Sequence, residues 1–162
     1  MSGVKVFELN KENPYIEQYL DQVENLFVQL FDYMKTVGLV TPLIKGGEKL
    51  WRDSLEKTIG KMSVLIIAEK DKEVMGFAHG ILRFAPNFLG EYKIGFVPHV
   101  YVSSKVRAKG VGENLYLKLE EWFKQKDVKV YELQVLCGNS GAINFWEKMG
   151  YIKNIVQMYK SK

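Results

Sequence analysis

Ile94-Gly95-Phe96-Val97-Pro98-His99-Val100-Tyr101-Val102-Ser103-Ser104-Lys105-Val106-Arg107-Ala108-Lys109-Gly110-Val111-Gly112-Glu113-Asn114-Leu115-Tyr116-Leu117-Lys118-Leu119-Glu120-Glu121-Trp122-Phe123 reads as three pieces in succession. The β-branched and aromatic run from Ile94 to Val102 predicts a buried strand. Val111, Leu115, Leu119, Trp122 and Phe123 recur at three- and four-residue spacing and predict an amphipathic helix. Between them lies a basic loop with Lys105, Arg107, Lys109, Gly110 and Gly112. A helix start carries unpartnered N–H groups and partial positive charge, and glycines let a phosphate approach the backbone, so this junction can hold an anion. A plain turn with solvated lysines is the alternative reading.

Two common phosphate signatures do not fit. G-x-x-x-x-G-K-[ST] is not found, and the third glycine of G-x-G-x-x-G is replaced by Leu115. The loop instead reads R-x-x-G-x-G, as Arg107-Ala108-Lys109-Gly110-Val111-Gly112. A second block follows: Asn139, Ala142, Phe145-Trp146 and Gly150-Tyr151. With both blocks in order, each after a predicted strand, the chain resembles the GNAT superfamily of acyl-CoA-dependent N-acetyltransferases over about residues 62–159.

That resemblance implies a mixed, mostly antiparallel α/β (α+β) sheet of about six or seven strands with about four helices and a splayed central strand pair. It implies acetyl-CoA as cofactor, with Val100, Tyr101 and Val102 against the pantetheine arm. Arg107, Ala108, Lys109, Gly110, Val111 and Gly112 would hold the pyrophosphate, and Asn139, Phe145 and Trp146 would complete the cofactor site. Pro98 points to the same place on its own: a proline cannot donate to a sheet ladder, so within a central strand it marks a bulge or a gap in pairing.

Acetyl transfer needs a neutral amine, and an amine of pKa near ~10.4 is only roughly 0.04% neutral at pH 7, a deficit of about 4.6 kcal/mol. A base or a desolvating pocket must help. Family members often carry a glutamate on the central strand; this strand has no carboxylate and places Phe96 and Pro98 at the expected inward positions. His99, titratable in mid-strand, is the candidate base, and a satisfied core histidine is the competing reading. Glu91 is the runner-up, acting through water. His79 reads as structural. Where the family often has a tyrosine acid stands Trp146, whose indole does not titrate in this range, so a tyrosine acid at that position is excluded, and core packing with Phe145 and Met149 is at least part of its role. Tyr151 and Cys137 are the nearby alternatives. Asn139 reads as a helix cap that, by the resemblance, also contacts the arm.

The rest of the chain is consistent with one domain spanning residues 1–162. A hydrophobic content of 47% supports a sizeable core, and no apolar run approaches the ~20 residues a membrane span needs. The single Cys137 excludes an internal disulfide and suits a cytoplasmic location, as does the lack of a signal-peptide core. The +4 net charge suits a polyanionic cofactor better than nucleic acid, because the lysines are spread along the chain. Further strands are expected over 4–9, 62–69, 73–84, 129–137 and 155–160. Further helices are expected from Pro14 (capped by Asn13), through Trp51–Ile59, and over 140–149. By the resemblance, residues 36–47, 85–90 and 153–156 frame the amine site. Leu39, Val40, Leu43, Ile44, Phe88 and Leu89 in the first two suggest a partly apolar acceptor or a homodimer contact. Three functions stand open: an acetyltransferase for a small amine or peptide, a non-catalytic acyl-CoA-binding module, and a basic nucleic-acid-binding domain.

Overall fold

The computed structural model describes residues 3–106 and 110–162. Strands β1 (Lys5–Glu8), β2 (Ser63–Lys70), β3 (Glu73–Phe84), β4 (Lys93–Val102) and β5 (Val130–Leu133) form one sheet in that spatial order. Neighbours are antiparallel except β4 and β5, which run parallel. Helices α1 (Ile16–Thr36) and α2 (Gly47–Thr58) precede β2, α3 (Val111–Gln125) links β4 to β5, and α4 (Ser140–Lys148) follows β5.

The sheet is covered on both faces, which is why β2 tolerates Val64-Leu65-Ile66-Ile67 without alternation. Leu65, Ile67, Phe77 and Tyr101 pack with Leu20, Val23, Phe27 and Leu30 of α1 and Leu55 of α2. Val64, Ile66, Ala78 and Val97 pack on the other face with Val111, Leu115, Leu119 and Phe123 of α3 and Trp146 of α4. Glycine is required where α3 presses on the sheet: a Cβ on Gly80 would collide with Leu119 Cδ1, and one on Gly95 would lie 2.9 Å from the Phe123 ring. Arg52 ties α2 to α1, contacting Glu17 and Asp21 at 2.6 Å, Glu24 at 3.0 Å and Glu56 at 2.9 Å.

The bulge expected at Pro98 is present. His79 pairs with His99, but Ile81 pairs with Phe96, so Val97 and Pro98 together oppose Gly80. The extra residue resets the alternation of β4: Val97 and Val100 both face α3, while His99 and Tyr101 face α1. This corrects the expectation that Pro98 occupies the inward position; the bulge turns His99 inward instead.

Three other expectations need correction. Among the described residues the sheet has five strands rather than six or seven, because residues 155–160 form no strand. Ile155, Val156, Met158 and Tyr159 are 72–88% exposed, and among the described residues no strand pairs with them. The strand expected over 129–137 shortens to Val130–Leu133, because its ladder with β4 ends at Val97, where the bulge diverts the neighbour. Asn13 does not cap α1: its Oδ1 accepts from the Tyr15 N–H at 2.9 Å, and the helix begins at Ile16.

Candidate functional site

β4 runs on to Val102 in register with β3, while its parallel ladder with β5 covers only Ile94–Val97. The two strands therefore part at the bulge. Past the end of β4 the chain enters α3 through Gly110, whose φ of +76° is left-handed backbone open to glycine. Gly110 has no side chain with which to cap this helix start, and among the described residues none is seen to do so. The first-turn N–H groups are thus available to an anion. A Cβ on Gly112 would meet Val102 Cγ2 at 3.6 Å and Phe145 Cε2 at 3.8 Å, so the strand end, the helix start and α4 converge there.

Asn139 caps α4, its Oδ1 accepting from the Ala142 N–H at 3.1 Å. The same oxygen accepts from the Tyr33 hydroxyl of α1 at 3.4 Å. With its oxygen taking both donors, the carboxamide nitrogen is directed elsewhere. The turn before α4 is pressed against the end of α1: a Cβ on Gly138 would lie 2.5 Å from the Val37 carbonyl oxygen.

On the other side of the sheet, His99 is half-buried under aromatic rings. Phe27 meets it edge-on at 5.0 Å and Trp51 at 5.8 Å, and Phe27 stacks on Trp51 at 4.1 Å. His99 Nδ1 lies 3.3 Å from Nδ1 of the buried His79. Burial pushes His99 down to about 4. Burial, and then the neighbouring His99, push His79 down to about 3. Both imidazoles are therefore neutral at pH 7. His79 Nε2 and Trp51 Nε1 are buried without a hydrogen-bond partner.

Of the residues expected at the cofactor, Val102, Gly112 and Phe145 are brought together, with Gly110, Val111 and Asn139 on the adjoining turns. Val100 packs its side chain toward α3, and Tyr101 toward α1. Arg107, Ala108 and Lys109 lie outside the described residues. Trp146 sits in the core, edge-on to Tyr116 at 5.2 Å and Tyr151 at 5.4 Å, and is 9% exposed. The Tyr151 hydroxyl is held at 3.0 Å by Tyr116, and burial pushes it up to about 12. Glu91 is exposed in the turn before β4 with φ +51°. Lys93, where β4 begins, already stands roughly 20 Å from His99 at ~3.3 Å per strand residue, and Glu91 lies in the turn before it, so the fold does not bring the two together.

Sequence reasoning missed the ring cage and the histidine pair. Phe27 and Phe31 are visible as an i, i+4 pair on one helix face, but the pairing of His79 with His99 depends on the β3–β4 register. A cavity of about 260 Å³ lies between the start of α1 and the end of α2, lined by Leu20, Leu55 and Ile59, two turns or more along α1 from Phe27.

Residues 22–151 match the model of the Acetyltransferase (GNAT) family. No curated protein matches the chain. Among solved structures, it is similar to the aminoglycoside N-acetyltransferase AAC(6')-Iy in complex with CoA. The two are 16% identical with a TM-score of 0.74, over 98% of this chain and 94% of that one. It is also similar to glucosamine-6-phosphate N-acetyltransferase from Arabidopsis thaliana (17% identity, TM-score 0.66, 98% and 97% covered). An acetyltransferase from Trypanosoma brucei is 18% identical with a TM-score of 0.70, over 98% and 99% of the two chains. At these identities the likeness is one of fold.

Proposed function

Because the chain belongs to the acetyltransferase (GNAT) family, we propose that it is an acetyl-CoA-dependent N-acetyltransferase. It moves the acetyl group to a primary amine of a small molecule or peptide by direct attack in a ternary complex, within one domain spanning residues 1–162. The observation that carries this reading is the parting of β4 from β5 at the Pro98 bulge, beside the uncapped start of α3.

Bound acetyl-CoA supplies a thioester whose carbonyl carbon an amine can attack. The first-turn N–H groups of α3 would hold its phosphates, and the glycine at 112 would leave that approach open. Asn139, its oxygen already engaged, offers its amide N–H to the arm. A backbone N–H of β4 beyond the bulge serves the developing oxyanion.

His99 is the base. Its burial keeps it uncharged at neutral pH and also lowers its affinity for a proton, so it accepts only as the attacking nitrogen becomes strongly acidic. His99 would take the proton that the amine sheds on attacking the acetyl carbon, and the thioester would supply that carbon together with a thiolate leaving group. Thiol pKa is only ~8.5, so the thiolate departs without a tyrosine acid, in keeping with Trp146 in the core. The rings of Phe27, Phe31 and Trp51 and the exposed Val40, Ile44 and Phe88 favour an amine with an apolar portion.

Release of free CoA in the presence of a panel of primary amines, aminoglycosides included, tests this. Amine-dependent release with intersecting initial-rate patterns is expected. Tight acetyl-CoA binding without turnover of any amine would favour a non-catalytic acyl-CoA-binding module, the second reading that the buried Trp146 supports.

The exposed side chains of Ile152, Ile155, Val156, Met158 and Tyr159 support a homodimer, each copy covering the other's C-terminal segment. Sedimentation equilibrium of the full chain should give a dimer and a form ending at Tyr151 a monomer; a monomeric full chain would refute this. Among the described residues no helix is long and apolar enough to cross a membrane; separately, the lone, exposed Cys137 supports a cytoplasmic location.

A further inference from the structure

Two features of the His79–His99 contact are independent of any ligand. The rings are nearly parallel, at 8°, with centroids 5.6 Å apart and Nδ1 atoms 3.3 Å apart. The centroid separation exceeds the N–N distance by 2.3 Å (5.6 minus 3.3), about the width of an imidazole ring. The two rings therefore lie edge to edge on one line rather than face to face, which is the geometry of an in-plane N–H···N hydrogen bond. Trp51 stands across both rings, at 75° and 82°, with its centroid 5.7 and 5.8 Å from theirs.

A proton inventory follows. Both rings are neutral, so each carries one N–H. Two Nδ1–H groups would repel, as would two Nδ1 lone pairs, so the axis holds one proton and the tautomers are opposed. If His99 is to take a proton on Nε2, its own Nδ1 must carry the axial proton, and His79 must accept it. His79 is then protonated on Nε2, an atom buried without a hydrogen-bond partner among the described residues, so this tautomer carries the cost of an unpaired N–H.

We infer that His79 is a positioning residue: by accepting the Nδ1–H of His99 it fixes that ring's orientation and keeps its Nε2 lone pair available to the amine. The inference rests on the proposed role of His99 as base and adds what holds that base in its working form. His79 touches no reacting atom. It stands where a carboxylate orients the base in a hydrolase triad, but it is neutral, so the pair enters the reaction without charge. When His99 becomes protonated, its Nδ1–H···Nδ1 contact with His79 becomes a charge-assisted hydrogen bond. Around His99, α1 presents Phe27 and Phe31 and α2 presents Trp51. Among these ring contacts of the described residues, His79 is the one that titrates.

The test combines spectroscopy on the unmodified protein with two substitutions. Nitrogen-15 spectra of the imidazoles should show His99 protonated at Nδ1 and bare at Nε2, His79 the reverse, and a scalar coupling across the two Nδ1 atoms. His79→Leu, which removes the acceptor, should lower kcat about 100-fold with KM for acetyl-CoA unchanged within twofold. His79→Asn, whose Oδ1 can accept at the same place, should stay within about fivefold of the unmodified kcat. A His99 protonated at Nε2 in the unmodified protein overturns the inference, as does a folded His79→Leu with full kcat. Loss of rate in His99→Ala alongside full rate in His79→Leu would sink the positioning role and leave the base standing. Full rate in His99→Ala would remove the base reading itself, whatever the spectra show.

Discussion

Gly112→Asp should fold at least as stably as the unmodified protein and bind acetyl-CoA at least 100-fold more weakly. The two halves of this expectation come from the same atoms. Gly112 has no left-handed φ to defend, and a Cβ there meets Val102 and Phe145 at 3.6 and 3.8 Å, which is ordinary contact. A carboxylate in the first turn of α3 complements the helix dipole, worth roughly 0.3–1 kcal/mol, and glycine is a poor helix former by about 1 kcal/mol. The proposed ligand meets the reverse situation. A phosphate about 4 Å from the new carboxylate is repelled by about 4 kcal/mol at the effective dielectric of a protein surface, and the close approach to the backbone is lost. Denaturation and calorimetric titration read the two effects separately. A folded Gly112→Asp that binds acetyl-CoA within threefold of the unmodified protein would place the phosphates elsewhere.

Acid should destabilise the protein well above the range in which carboxylates titrate. His79 and His99 are depressed to about 3 and about 4 in the folded chain, against ~6.5 when unfolded. Below pH 6.5 the unfolded chain therefore binds two protons that the folded chain refuses until pH 4 and then 3. The stability this neutrality confers is fully present above 6.5 and is lost as pH falls toward the folded values. Each histidine contributes about 1.4 kcal/mol per pH unit across that window. Between pH 7 and 5 the pair should cost about 3–4 kcal/mol, a drop of roughly 10 °C in Tm for a domain of this size. A double His79→Leu, His99→Leu variant should lose most of that slope. A Tm constant from pH 7 to 5 in the unmodified protein would mean that the pair is solvated rather than buried.

Much of this architecture was legible before any coordinates, and for identifiable reasons. β3, β4, α3 and α4 carry strong local signals: β-branched runs, a 3.6-residue apolar stripe, and Asn139 with the geometry of a cap. Pro98 was informative because a missing N–H has one consequence inside a ladder, whatever the rest of the chain does. The features that escaped depend on partners distant in sequence. Which face His99 occupies turns on the bulge, since one extra residue moves every later side chain to the other side of the sheet. Its pairing with His79 depends on a register set across 20 positions of chain. The segment 155–160 has the composition of a strand, but composition cannot supply a neighbour to pair with. Trp146 is readable both as a substitution at the expected position of an acid and as a core residue beside Phe145 and Met149; its contacts with Tyr116 and Tyr151 required the packing of α4 on α3.

Thermal unfolding of the unmodified chain with and without acetyl-CoA tests the central claim most directly. A ligand at 100 times its dissociation constant adds about 2.7 kcal/mol, so Tm should rise by roughly 5–10 °C, and the rise should vanish in Gly112→Asp. No rise at millimolar acetyl-CoA would contradict the assignment of the cleft between β4 and β5 to this cofactor.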